Sequence, residues 1–365
     1  MDQAAFASSL THSQHLSAVA QGSTPWRQPR SIHDPKARFP GFHQRRTHYK
    51  AGQSVKKGYM PLPCDMVMHE SVPMTLSDGT TLYSDIFLPA SFEDLAEVCS
   101  AEQRVAAIVA WSPYGKQSGT QILSDYPFHC GVPPSSVSSL QKWEGPDPAF
   151  WCANNYAIIN VEMRGAYTSA GDLHLLGYQE AKDGAEFVEW VAAQLGALAV
   201  SWKIASLRLK GLAGIAPWEG MMDVYKDVVC AGGIPDTGPF SLIASAFAGH
   251  GKVEDLAATI NRPGKEGLYD EYWEDKRSTV ERITCPVYCV ASWTSIFHTN
   301  GTLRAFRPPP NQHSTMASRA QHPRMTRLLR APQRRRPQTL LRLVSQRPPD
   351  RLARHPQNPP QHPQL

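Results

Sequence analysis

Ser201 follows a short apolar run, Gly196-Ala-Leu-Ala-Val200, and precedes Trp202-Lys203. A serine placed where a strand turns sharply into a helix presents its hydroxyl above a β-layer, where it can attack an acyl carbon once a base takes its proton. Glycines usually flank such a turn, and here Ala199 and Lys203 stand in their places. A serine in this context also serves as a strand end or helix N-cap, so both readings stand. Tyr114, in Trp111-Ser-Pro-Tyr-Gly-Lys116, offers a complementary group. Its phenol, with the backbone N–H of Trp202, could hold the oxygen that gains charge when an acyl carbon is attacked. The other reading is a ring fixed beside Pro113 in a turn.

Two more strand ends carry polar groups. Arg164-Gly165, followed by Ser169-Ala-Gly-Asp172, reads either as a substrate-side loop or as an arginine paired with Asp172 or Glu162. Ala291-Ser-Trp-Thr-Ser295 ends another apolar run, whose Cys285 and Cys289 read as core thiols. Seven cysteines, an odd number without a Cys-x-x-Cys pair, argue against a disulfide framework and a zinc site. No metal or organic cofactor is called for, and a reducing, cytoplasmic setting is expected. No run approaches the ~20 apolar residues that a membrane span requires.

Positioning these groups requires a sheet. Thr81 to Leu88 alternates as a strand and is joined through Asp78-Gly79, a hairpin signal, to the strand before it. Val105 to Trp111, Tyr156 to Val161, Gly196 to Val200, Gly211 to Ala216 and Cys285 to Ala291 are short and apolar throughout, the pattern of strands covered on both faces. Gln179 to Gln194 repeats apolar residues every three to four positions and predicts an amphipathic helix. Strands alternating with helices imply a doubly wound, mostly parallel α/β sheet. Residues 218–280 break the rhythm, as an inserted helical cap would.

The ends differ from this body. Residues 1–58 show no sustained period and are expected to be a disordered or draped arm, with the core spanning 59–306. Residues 307–365 hold 12 Arg, 12 Pro, one acid and no aromatic residue, so they carry +11 of a chain whose total is +5, and the body is mildly acidic. Such a tail is expected to be disordered. It lacks the interleaved aromatics of a specific nucleic-acid reader.

Taken together, VPMTLSDGTTLYSDIFLPA (72–90), AIVAWSPYGK (107–116), NNYAIINVEMRGAYTSAGDL (154–173), EAKDGAEFVEWVAAQ (180–194), KGLAGIAPWEGMMDVYKD (210–227), YDEYWEDKR (269–277) and PVYCVASWTSIFHTNGT (286–302) resemble the α/β-hydrolase family of X-Pro dipeptidyl peptidases and cocaine esterase. The resemblance implies an α/β-hydrolase core with a helical cap, a C-terminal jelly roll, a Ser-Asp-His triad and a tyrosine in the oxyanion hole. It puts Tyr114 in the oxyanion hole and Ser201 at the nucleophile position, acting on a small ester or short peptide substrate. It puts Ser295 at the position of the acid, where a hydroxyl replaces the expected carboxylate. Only eight residues, 202–209, separate Ser201 from the next strand's Lys210. The family's histidine motif and jelly roll have no counterpart, His313 and His322 stand in an unrelated context, and His298 reads as a loop residue. The expectation is a truncated or frame-disrupted member, either a serine acyl hydrolase or an impaired remnant that binds without turnover.

Overall fold

The computed structural model describes residues 24–92, 105–117, 119, 121–194, 196–199, 202–236, 238–293, 295–306 and 315–320. Its strands are β1 (Trp26–Arg27), β2 (Arg46–Tyr49), β3 (Met66–Thr75), β4 (Thr81–Pro89), β5 (Ala106–Ser112), β6 (Tyr156–Glu162), β7 (Gly196–Ala199), β8 (Leu212–Ile215), β9 (Val253–Glu254), β10 (Val287–Ser292) and β11 (Thr315–Ala320). Its α-helices are α1 (Pro148–Cys152), α2 (Tyr178–Gln194), α3 (Trp202–Ser206), α4 (Pro239–Ala244), α5 (Leu256–Ile260), α6 (Glu271–Asp275) and α7 (Thr299–Phe306).

Nine strands form one sheet in the order β11-β10-β8-β7-β5-β6-β4-β3-β2. The pairs from β6 to β11 are parallel, and β4, β3 and β2 add an antiparallel flank. The β3–β4 hairpin closes as its Asp-Gly pair predicts: Gly79 takes φ +84 and Leu76 N–H donates to Thr80 O at 2.8 Å. The central strands show no polar alternation because both faces are covered. Ala107, Val109 and Ile159 pack with Phe187, Val188 and Val191 of α2, whereas Ile108 and Ile158 pack with Trp151 and Cys152 of α1. Every residue of β6 is buried. Fully burying side chains of this size stabilises the fold by roughly 1.5–3 kcal/mol each.

Between β8 and β10 the chain leaves the sheet. A five-residue π-helical turn, Tyr225–Val229, and α4, α5 and α6 close over a second buried cluster that includes Val224, Val228, Phe247, Leu256, Ile260 and Trp273. Met163, Leu173 and Leu175 from the sheet side complete it, so this layer is seated on the carboxyl edge of the strands. A buried ion pair, Lys276 Nζ to Glu254 at 2.7 Å, ties α6 to β9, and Glu254 also accepts from Leu175 N–H and Tyr272 O–H, each at 2.6 Å.

Stretches near both ends also carry strands. Within the arm, β1 pairs with β9, Arg30 N–H donates to Phe247 O, and β2 pairs with β3 at the sheet edge. Within the tail, Thr315–Ala320 pairs in parallel with β10. These three strands, of two, four and six residues, are held by backbone hydrogen bonds along an edge. That pairing needs no hydrophobic period, which is why composition and periodicity did not indicate it. Residues 307–314 and 321–365 lie outside the described residues.

Candidate active site

The chain passes from β5 through α1 to β6 on one side, then through α2 to β7 on the other, so β5 is flanked by β6 and β7. Successive crossovers in opposite directions open a crevice beyond the carboxyl end of the strand they share. A cavity of about 250 Å³ lies there, lined among others by Tyr114, Glu180, Trp202, Glu219, Lys276 and His298.

Tyr114 is placed by the turn after β5. Its N–H donates to Ser112 Oγ at 3.2 Å, and its ring meets Phe247 edge-on at 5.5 Å. Gly115 takes φ +90, and a Cβ on it would stand 2.9 Å from the Tyr167 ring, so only glycine lets the chain turn this tightly. Trp202 begins α3 immediately beyond β7 and is buried. Two glycines let α3 approach. A Cβ on Gly220 would stand 2.0 Å from Trp202 Nε1, and one on Gly184 would stand 2.3 Å from Ile204 Cδ1. Val200 and Ser201, which join β7 to α3, lie outside the described residues. The β7–β8 crossover, read from sequence as short, carries a helix of five residues.

Beyond β10 the chain folds back. Thr299 Oγ1 donates to Ser292 O at 2.6 Å and to Ser295 O at 2.7 Å, and His298 N–H donates to Ser295 Oγ at 3.3 Å. This bend brings His298 to the cavity wall, while Ser295 is not among the residues lining it. The sequence marked His298, three positions beyond Ser295, as a loop residue in preference to a base, because a histidine in an irregular segment carries no periodic signal.

Three charged groups of the cavity wall also escaped sequence reasoning. Burial pushes the Glu180 carboxyl up to about 7, although Leu176 N–H donates to it at 2.5 Å. Burial lowers Lys203 to about 8; its Nζ donates to the carbonyls of Asp275 and Arg277, clamping α3 to the end of α6. Lys276 donates to Leu175 O at 2.8 Å besides pairing with Glu254. A first-turn acid such as Glu180 reads equally well as a complement to the helix dipole, and only the tertiary structure brings it to one cavity wall with Lys276.

The remaining candidates are structural. Arg164 pairs with Asp183 and Asp78, not with the Asp172 or Glu162 expected from sequence proximity. Asp172 caps Lys252 N–H and Glu162 takes Lys116. Burial pushes the Cys285 and Cys289 thiols up to about 12, as core thiols require. Among the described residues no group of three or more His, Cys, Asp or Glu is arranged to hold a metal ion, and no helix is long and apolar enough to cross a membrane.

A mostly parallel sheet in this order, with helices on both faces and a cavity at its switch point, defines an α/β-hydrolase. Residues 78–253 match the family described as X-Pro dipeptidyl-peptidase (S15 family). The chain is 27% identical over 179 residues to proteins named as serine esterases in Mycobacterium bovis and Mycobacterium tuberculosis, covering 46% of this chain and 27% of theirs. The crystal structure of a CocE/NonD family hydrolase from Staphylococcus aureus superposes with a TM-score of 0.66 at 24% identity, covering 82% of this chain and 53% of that one. Residues 78–253, just under half of the chain, thus carry the pattern of the X-Pro dipeptidyl-peptidase-like hydrolases, on an α/β-hydrolase fold. The chain spans about a quarter of the length of the mycobacterial relatives and about half of the staphylococcal hydrolase.

Proposed function

We propose that this chain is a serine-type acyl hydrolase acting on ester or X-Pro peptide bonds, with Ser201 as nucleophile, Tyr114 and the Trp202 N–H as oxyanion donors, and residues 218–280 as the cap that shapes the substrate site. The observation that carries this reading is the meeting of Tyr114, Trp202 and His298 at one cavity beyond the ends of β5 and β7. These residues come from three strand ends separated by up to 184 positions in the chain. Ser201 precedes Trp202 directly, and a phenol and a backbone amide are the kinds of donor an acyl-transfer oxyanion requires. The mycobacterial serine esterases support the same class of chemistry.

One observation favours a second reading, a binding protein of hydrolase descent. Ser295 occupies the place expected for the acid, and its Oγ accepts from the His298 backbone N–H. Losing the carboxylate that orients an imidazole lowers turnover by roughly 10⁴-fold. The test is labelling by a fluorophosphonate probe alongside hydrolysis of a nitrophenyl ester and an X-Pro anilide. Slow labelling abolished by Ser201→Ala and reduced ~10²–10³-fold by Tyr114→Phe is expected. Saturable binding of the ester without labelling of the wild-type chain would decide for the second reading.

A further inference from the structure

We propose that Lys142 is a positioning residue for the oxyanion turn and holds Tyr114 in place through the hydroxyl of Ser112, an inference that rests on the role given to Tyr114 above. Lys142 Nζ donates to Ser112 Oγ at 3.0 Å and to Gly115 O at 3.4 Å. The same Ser112 Oγ accepts the Tyr114 N–H at 3.2 Å. One hydroxyl offers two lone pairs, and here they receive the lysine and the tyrosine amide. The ammonium therefore grips both ends of the four-residue segment Ser112–Gly115 whose third member carries the phenol.

The lysine is itself fixed. It is 2% exposed, and its stem runs over Gly145, where a Cβ would stand 2.6 Å from Lys142 Cγ. Its loop is anchored at Ser138, whose N–H and Oγ donate to Asp147 at 2.9 and 2.6 Å, and at Trp143, which stacks on Tyr126 at 4.6 Å. Ser112 and Glu144 line the candidate active-site cavity, while Lys142 and Trp143 line a second cavity behind the turn. Lys142 thus reaches the turn from a cavity other than the candidate active site.

The energetics separate this role from a purely structural one. The charged groups around the amine are Asp85, Glu144 and Glu162, with Glu162 already paired to Lys116 at 3.1 Å. Burial outweighs their attraction and brings Lys142 down to about 7. An amine this deeply buried and bonded to two neutral oxygens is a poor stabiliser, and an apolar side chain of similar volume is expected to be tolerated.

The experiment compares wild type, Lys142→Met, Ser112→Ala and the double variant as full chains. Lys142→Met is expected to keep or raise Tm and to speed hydrogen exchange at the Tyr114 amide about tenfold, as loss of one net hydrogen bond implies. It is also expected to lower kcat about ten- to a hundredfold, with KM within about twofold, as a displaced catalytic group does. Ser112→Ala should behave alike, and the double variant should be no worse than Ser112→Ala alone, since both act through one hydroxyl. Unchanged Tyr114 exchange in Ser112→Ala, or in folded Lys142→Met, overturns the proposal, as does full additivity. A wild-type chain that neither labels nor hydrolyses defeats the enzymatic reading instead, and the exchange measurements still decide whether Lys142 holds the turn.

Discussion

Arg164 and Asp183 meet at two points, Nε to Oδ2 at 2.6 Å and Nη2 to Oδ1 at 2.8 Å, and so bolt the end of β6 to α2. The same guanidinium reaches Thr80 Oγ1 at 2.6 Å and Asp78 at 2.7 Å, tying in the β3–β4 hairpin. Asp183 is 2% exposed and also accepts from Gln179 Nε2 at 2.8 Å. Arg164→Met should lower stability by about 3–5 kcal/mol in urea denaturation, because it leaves a buried carboxylate uncompensated. Arg164→Lys should recover only part of that loss, since a lysine is a point charge without the planar fork.

Acid should reveal the Asp78 half of this network. Burial opposes ionisation there, yet the Thr80 N–H and the Arg164 guanidinium bring the carboxyl down to about 2. A depressed acid contributes stability above its unfolded value and loses it as pH falls through its folded one. The contribution should therefore fade between about pH 4 and pH 2. Asp78→Asn should flatten unfolding free energy against pH in that window and lower neutral stability by the amount that the wild type loses across it. An unchanged slope would refute the assignment.

Glu180 behaves in the opposite sense. Its folded value of about 7 lies above that of an unfolded glutamate, so the folded chain binds the extra proton between about pH 4.5 and pH 7 and loses stability as pH rises through that range. Glu180→Gln keeps an acceptor for the Leu176 N–H and removes the charge. It should stabilise the chain at pH 8 by on the order of 2–3 kcal/mol and have little effect at pH 5, as thermal melts at both values would show.

Gly220 should tolerate no side chain. Gly220→Ala forces the Trp202 indole, and with it α3, away from the cavity, because the clash falls on Nε1 and Cδ1 of the ring. We expect a loss of about 1–3 kcal/mol and a parallel fall in probe labelling, measured on the same preparation. Retained labelling at reduced stability would separate the ring's packing from the proposed placement of the Trp202 N–H.

Much of the sheet was legible in the sequence. The run from Val105 to Trp111 and the run from Tyr156 to Val161 are apolar throughout, and they fall on neighbouring parallel strands with α1 and α2 on opposite faces. The helix expected over Gln179 to Gln194 spans Tyr178–Gln194. The edges were not legible. Arg46–Tyr49 and Thr315–Ala320 join the sheet through main-chain hydrogen bonds, to which any residue except proline contributes both a donor and an acceptor.

Of the candidate site, Tyr114 and Trp202 were named by their places after apolar runs, because a strand covered on both faces has to end where polar groups reach the sheet edge. The sequence by itself thus determined the covered parallel layer, the hairpin and the strand ends where chemistry can collect, all properties of residues a few positions apart. Only the tertiary structure decided that His298 shares a wall with Tyr114, that Glu180 is enclosed and held toward its neutral form, and that Arg164 chooses Asp183. Those outcomes depend on which surfaces the crossovers bring into contact and how much water they exclude, and neither is encoded in local spacing.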